Sequence, residues 1–250
     1  MKVNPRLKKY IEKEIMSIYD TVDKAHDRTH IKKTIEYAMK IADELDMDLN
    51  YDIIYAGAAM HDIGMSYYDD PKKSREKHHL HSAEMVKENK KLEEFFTDEE
   101  ITTIADICEQ HRASHEGDVK GIYAKIVSDA DNASSLEIKE IIRRSHRYHE
   151  ETGDCLSDQE IYEEVYHHIK DKYGQKGYAW DSLQLDETKK LFKDEIENTT
   201  EVLTDERKFM KEYKKLYPNE DIEYTKMYKE SIKEHIRNKH TKSVNDYLFN

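Results

Sequence analysis

The apolar residues of this chain recur mostly at intervals of three and four, the spacing of one face of an α-helix. One such stripe is formed by Ile31, Ile35, Ala38, Ala42 and Leu45. It follows Asp27 and Thr29, either of which can cap a helix N-terminus. The same spacing predicts further helices over residues 6–20, 51–62, 79–92, 97–111 and 122–136. Residues 66–77 are polar, contain a proline and are predicted to be a connection.

Two short patterns and the composition support helices throughout. Thr97 with Glu100 and Ser157 with Glu160 match the capping box, which marks a helix N-terminus. Only 7 Gly and 3 Pro occur in 250 residues, which favours long helices with short connections over a sheet-rich fold. We therefore predict an all-α fold in a single domain over residues 1–250. Its core spans about 20–136 and its C-terminal helical extension about 137–250. An independent C-terminal module is the alternative.

The formal net charge of -13 argues against a nucleic-acid scaffold as the main partner, because phosphate backbones are bound by excess Lys and Arg. A small phosphorylated substrate stays possible, and so does a homo-oligomer. The sequence contains no run of about 18 apolar residues, so no membrane-spanning helix is predicted. With two cysteines and no apolar signal segment near residue 1, a cytoplasmic location is expected.

His61 and Asp62 end the most apolar stretch of the chain, residues 53–60. Burying an imidazole beside a carboxylate is costly unless something compensates, and a divalent metal ion compensates both groups. Other predicted helices also carry metal-ligand residue types at inward positions. These are His30, His81, His111 and Asp129. Asp129 is preferred to Asp131 because it shares a helix face with Ile122 and Ile126.

The order His, His-Asp, Asp resembles the HD superfamily of metal-dependent phosphohydrolases, with the pair inside Ala-Met-His-Asp-Ile-Gly at 59–64. Residues 26–31 and 127–132 are similar to the first and last ligand segments of that family. The resemblance covers about residues 20–135 and implies a compact helical bundle. It also implies that one metal ion is bound by His30, His61, Asp62 and Asp129.

Some members of that family bind a second ion through two further histidines, and His81 and His111 stand where those ligands would be. Asp62 would then bridge the ions, and we favour this dinuclear reading over a single ion. The resemblance implies one or two divalent transition metals (manganese, iron, nickel, cobalt or zinc) or else magnesium. Met65 stands where many dinuclear members have Lys. The signatures of cyclic-di-GMP phosphodiesterases and alarmone hydrolases are missing, which disfavours both activities.

The resemblance implies hydrolysis of a nucleotide or other small phosphate ester or anhydride by metal-activated water. Asp62 and His61 are the expected catalytic residues, and Arg112 is expected to grip phosphate. Other candidates for contacting phosphate are Lys72, Lys73, Arg75 and Lys77. His115 is a candidate for either a further metal ligand or a phosphate contact. Residues 172–180 are a candidate wall of the substrate pocket. Two alternatives stay open: a di-iron oxygenase with a similar ligand set, and a non-catalytic module with a structural metal.

Overall fold

The computed structural model describes residues 3–22, 25–68, 71–112, 119–152, 156–175 and 177–224. The all-α prediction is confirmed, because these residues form helices and no strand. The α-helices are α1 (Pro5–Tyr10), α2 (Met16–Ile18), α3 (Arg28–Glu44), α4 (Tyr51–Met60), α5 (Pro71–Glu88), α6 (Asp98–Gln110), α7 (Ile122–Ala133), α8 (Ile138–Thr152), α9 (Asp158–Tyr173), α10 (Tyr178–Asp181), α11 (Asp186–Leu191), α12 (Lys193–Leu203) and α13 (Glu206–Leu216). A π-helical turn, Ile11–Ile15, joins α1 to α2, and 3-10 helices occupy Ile63–Ser66 and Lys90–Glu94.

The predicted helix starts are confirmed where a side chain caps the backbone. Thr97 and Glu100 form a reciprocal capping box at the start of α6, and Ser157 and Glu160 do the same for α9. Asp27 caps α3 by accepting hydrogen bonds from the backbone N–H groups of Thr29 and His30. These local contacts explain why three helices begin where the sequence alone predicts.

Helix α4 lies at the centre of the core. It packs against α3, α6 and α7, and each of its residues except Asp52 is buried. The hydroxyl of Tyr19 donates a hydrogen bond to the carbonyl of Ala59 at 2.8 Å, so the N-terminal helices also close over it. The His-Asp pair follows directly after this helix and is therefore held in the interior of the protein.

Helix α5 corrects the prediction for residues 66–92. It begins at Pro71 and not at residue 79, so residues 71–77 are helical and not a connection. Proline suits the first turn of a helix because its fixed backbone angle is already helical and its missing N–H needs no partner there. The buried stripe of α5 starts with the small polar residue Ser74, which carries no apolar signal.

Gly64 lets α5 approach the chain just after the His-Asp pair. Its backbone N–H donates to the Ser82 hydroxyl at 2.8 Å. A Cβ at this position would lie 2.1 Å from the backbone oxygen of His78 and 2.6 Å from the backbone nitrogen of Ser82. No side chain longer than hydrogen therefore fits unless helix α5 moves.

Gly64→Ala is expected to destabilise the fold by about 2 kcal/mol or more, because the clash is with backbone rather than with a flexible side chain. In a chain of this size that corresponds to a melting temperature lower by roughly 4–8 °C. Circular dichroism melting measures the effect. A melting temperature equal to that of the unchanged protein would contradict the packing described.

The C-terminal helices pack on the core through α11, which contacts α3 and α7. In addition, the Thr199 hydroxyl donates to the backbone carbonyl of Leu136 at 2.7 Å, with both groups buried. One cluster of buried apolar side chains extends from Leu7 to Ile222. This shared cluster supports the single domain, which stays a prediction. Among the described residues, the helices are all too short or too polar to cross a membrane.

Candidate metal centre

The carboxylate of Asp62 lies between four histidine rings, two on each oxygen. Its Oδ2 atom is 3.5 Å from His30 Nε2 and 3.1 Å from His61 Nε2. Its Oδ1 atom is 3.3 Å from His78 Nε2 and 3.2 Å from His111 Nε2. All five side chains are buried. Helices α3, α5 and the C-terminal ends of α4 and α6 thus aim their polar groups at one carboxylate.

Backbone carbonyl groups fix the orientation of three of these rings. The Nδ1 atoms of His61, His78 and His111 lie 2.8, 3.0 and 2.7 Å from the carbonyl oxygen three residues earlier. A carbonyl can only accept, so each Nδ1 carries the hydrogen and donates it. In the neutral ring Nε2 then presents its lone pair to the cluster, as a metal ligand requires. His61 and His111 are the C-cap residues of α4 and α6.

His30 is held in the same tautomer by Ser134. The Ser134 hydroxyl donates to the backbone carbonyl of Asp131 at 2.7 Å, so its oxygen accepts from His30 Nδ1 at 3.1 Å. The Asp131 carboxylate lies on the other side of the ring, with Oδ1 3.2 Å from His30 Nε2 and 3.8 Å from His61 Nε2. Asp131 therefore joins the Oδ2 side of the Asp62 carboxylate.

The cluster keeps its carboxylates ionised. Burial raises the pKa of Asp62, but the positive charge of His61 and the close approach of the surrounding histidine rings outweigh it and hold that pKa well below its usual range. Burial likewise raises the pKa of Asp131, but the neighbouring His30 and His61 rings together outweigh it and lower that pKa. For His61, burial lowers the pKa while the Asp62 charge raises it to about 9. Burial lowers the pKa of His78 to about 3, so that ring is neutral.

Several atoms of the cluster are suited to a cation. His30 Nε2, His61 Nε2 and Asp62 Oδ1 are buried and have no hydrogen-bond partner. A buried polar atom without a partner is costly, so such atoms in a native fold need an explanation. Imidazole nitrogen and carboxylate oxygen are ordinary ligands of divalent transition metals, and a bound ion satisfies all three atoms. The residues present therefore fit a metal centre.

His78, and not His81, is the α5 histidine that lies in the cluster. The ring of His81 stacks on Tyr67 with 3.8 Å between ring centroids, and its Nδ1 lies 3.1 Å from a carboxylate oxygen of Glu84. Helix α5 begins at Pro71, and its inward face is formed by buried residues four positions apart. These buried residues are Ser74, His78, Ser82 and Val86. Ser74 and Ser82, four positions before and after His78, are therefore the sequence feature that indicates an inward position for His78.

Asp131, and not Asp129, supplies the last carboxylate. Asp129 is fully buried, as its helix face predicts, but its two oxygens accept hydrogen bonds from the backbone N–H groups of Gln184 and Leu185 at 2.7 and 2.9 Å. It therefore anchors the chain that leads into α11. Burial on a helix face therefore does not by itself bring a carboxylate into the cluster, because a metal ligand also needs free lone pairs and access to the site. The side chain of Asp131 is 20% exposed.

The two aspartates are expected to respond in opposite ways. Asp129→Asn should cost about 1–3 kcal/mol of stability, because the amide can accept only one of the two backbone hydrogen bonds. Asp131→Asn should leave stability nearly unchanged and weaken metal binding at least about tenfold, because a charged ligand is lost. Denaturant unfolding and metal titration of both variants measure this. Equal metal binding by the two variants would contradict the assignment.

Arg112 lies beside the cluster and not in it. Its Nη1 atom donates to the backbone carbonyl of Glu76 at 2.9 Å and lies 3.5 Å from His79 Nδ1. The side chain lines a cavity next to the metal centre, as does that of Arg75. The role of Arg112 in gripping phosphate stays a prediction.

The other candidate phosphate contacts are placed differently. Lys73 and Lys77 are exposed on α5. The Lys72 side chain and His115 lie outside the described residues. Within 172–180, Lys172 and Tyr173 line the same cavity as Arg112.

Comparison with protein families agrees with this geometry. Residues 28–136 match the family model of the HD domain. This segment is an HD domain. The HD domain contains the whole cluster, from His30 to Asp131. HD domains bind divalent metals and belong to a superfamily of metal-dependent phosphohydrolase type. The chain matched no curated protein and no solved structure.

Proposed function

We propose that this protein is a metal-dependent phosphohydrolase acting on phosphate ester or anhydride bonds of small phosphorylated compounds. The observation that carries the proposal is the position of the Asp62 carboxylate, because two imidazole Nε2 atoms lie near each of its oxygens. A carboxylate placed this way can bridge two ions. Two-metal centres are common among enzymes that cleave phosphate esters.

The ligands divide into two sets around Asp62. The first ion would be held by His30, His61, Asp62 and Asp131, and the second by Asp62, His78 and His111. When bound, divalent ions lower the pKa of a coordinated water and offset negative charge on phosphate oxygens. The chain itself holds each imidazole in one tautomer through its Nδ1 hydrogen bond and keeps both carboxylates ionised.

Two features favour hydrolysis over the alternatives. The guanidinium of Arg144 lies with Nη1 3.4 Å from His30 Nδ1, so a cation stands beside the centre and favours an anionic substrate such as a phosphate compound. The partial exposure of Asp131 leaves one side of the cluster open. A purely structural metal site is usually closed by protein ligands.

The proposal is tested with the full chain after metal removal. The apoprotein is reconstituted separately with manganese, iron(II), cobalt, nickel, zinc and magnesium, and each form is assayed with nucleotides and phosphomonoesters. We expect release of phosphate, pyrophosphate or nucleoside only with metal present. Folded, metal-loaded protein that releases none of these products would refute the proposal, as would iron-dependent oxygen uptake with an organic substrate.

A further inference from the structure

A cavity of about 620 Å³ lies between the HD domain and the helices that follow it. Its wall includes Arg75 of α5, Arg112 after α6, Arg144 and Tyr148 of α8, and Lys172 of α9. The volume falls within the range of roughly 300–1,000 Å³ that is typical of pockets for small ligands. The extension therefore completes a pocket that the HD domain alone would leave open.

The charge of the cavity is opposite to that of the protein. Four basic side chains line it, whereas Glu164 is the acidic one among its described lining residues, in a chain of formal net charge -13. Guanidinium groups bind phosphate oxygens through paired hydrogen bonds, and lysine adds a point charge. Several cations around one half-enclosed space are suited to a ligand with more than one negative group.

The cavity lies next to the metal centre. The ring of His26 lines the cavity, and its centroid lies 6.0 Å from that of His30 and 6.2 Å from that of His78. Arg144 also belongs to both places, since it lines the cavity, contacts the Ser135 hydroxyl and approaches His30. A ligand with one phosphate at the Asp62 cluster would therefore extend the rest of its charge along these basic side chains.

We infer that this cavity binds a chain of two or more linked phosphate groups, so that the substrate class is a nucleoside di- or triphosphate or a comparable oligophosphate. The identification of this anion as a substrate rests on the proposed function. A single phosphate group would engage the metal centre and leave most of the basic wall without a ligand. Selectivity for linked phosphates over phosphomonoesters then comes from Arg75, Arg144 and Lys172.

Lys172 gives the sharpest test, because it lines the cavity and Lys170, two residues earlier on α9, does not. Both ammonium groups lie over a tyrosine ring, at 5.1 Å for Lys172 and 5.3 Å for Lys170, so the pair is matched. The variants are Lys172→Gln and Lys170→Gln, with Arg75→Gln as a second cavity variant. Circular dichroism melting confirms that each variant is folded.

Calorimetry of the metal-free full chain compares inorganic tripolyphosphate with orthophosphate. We expect tripolyphosphate to bind at least about tenfold more tightly, since it makes additional charge-assisted hydrogen bonds. Lys172→Gln and Arg75→Gln should each weaken tripolyphosphate binding about five- to tenfold, and Lys170→Gln by less than about twofold. Equal affinity for the two anions, or equal effects of the two lysine variants, would overturn the inference.

This binding assay does not depend on turnover. Tight tripolyphosphate binding without hydrolysis of any phosphate compound would refute the proposed function and leave the oligophosphate site standing. Hydrolysis of a phosphomonoester by a protein that does not prefer tripolyphosphate would overturn the inference and leave the proposed function standing.

Discussion

Asp62→Asn is expected to lower kcat/KM by at least about 10³-fold and to remove most of the bound metal, because one neutral amide cannot replace a bridging carboxylate. Asn matches Asp in size, so the packing around residue 62 is kept. Elemental analysis after reconstitution gives the metal content, and phosphate release gives the rate. The matched control is Asp52→Asn, half-buried in the first turn of α4 and away from the cluster, which should keep both metal and rate.

The Asp62→Asn variant also tests whether the cluster is the active centre. Asp62 lies beside the His61 ring, so its loss also lowers the pKa of His61, which this carboxylate raises against the effect of burial. A folded Asp62→Asn protein with the metal content and rate of the unchanged chain would show that the cluster is not the active centre.

His78→Gln is expected to reduce the metal content from about two ions to about one per chain, because His78 and His111 are the imidazole ligands near Asp62 Oδ1. The rate should fall about 10²-fold or more, because the remaining ion cannot supply both functions of a two-metal centre. His81→Gln is the control on the same helix. Its ring stacks on Tyr67 away from the cluster, so metal content and rate should be unchanged.

This pair of variants also tests the register of α5. If His81→Gln loses an ion and His78→Gln does not, the helix must lie rotated from the position described. If both variants keep two ions, the second ion does not use α5 at all.

Local patterns predicted much of the fold. The capping boxes at Thr97 and Ser157 and the cap at Asp27 involve residues within three positions of each other, so sequence spacing is enough to find them. The start of α5 is not predicted correctly because a proline in a polar segment suggests a connection, although proline is favoured in a first helical turn. Its buried stripe begins with serine, and hydrophobic spacing cannot detect a stripe that is not hydrophobic.

The candidate site was predicted unevenly for a related reason. His30, His61, Asp62 and His111 were placed in the cluster because each lies next to apolar neighbours on its own helix. The choice between Asp129 and Asp131 depends on Gln184 and Leu185, more than fifty residues away, whose backbone N–H groups use the Asp129 oxygens. A partner so distant in sequence cannot be found from helix spacing.

The positions of His61 and His111 at helix ends have an electrostatic consequence. Helices α4 and α6 both end at the cluster, and a helix C-terminus carries a partial negative charge of about half an electron. This partial charge of the backbone favours cations at the cluster independently of the side chains. Two divalent ions would carry more positive charge than this partial charge and the Asp62 and Asp131 carboxylates together offset. A centre that held both ions would therefore attract phosphate in addition to the basic wall of the cavity.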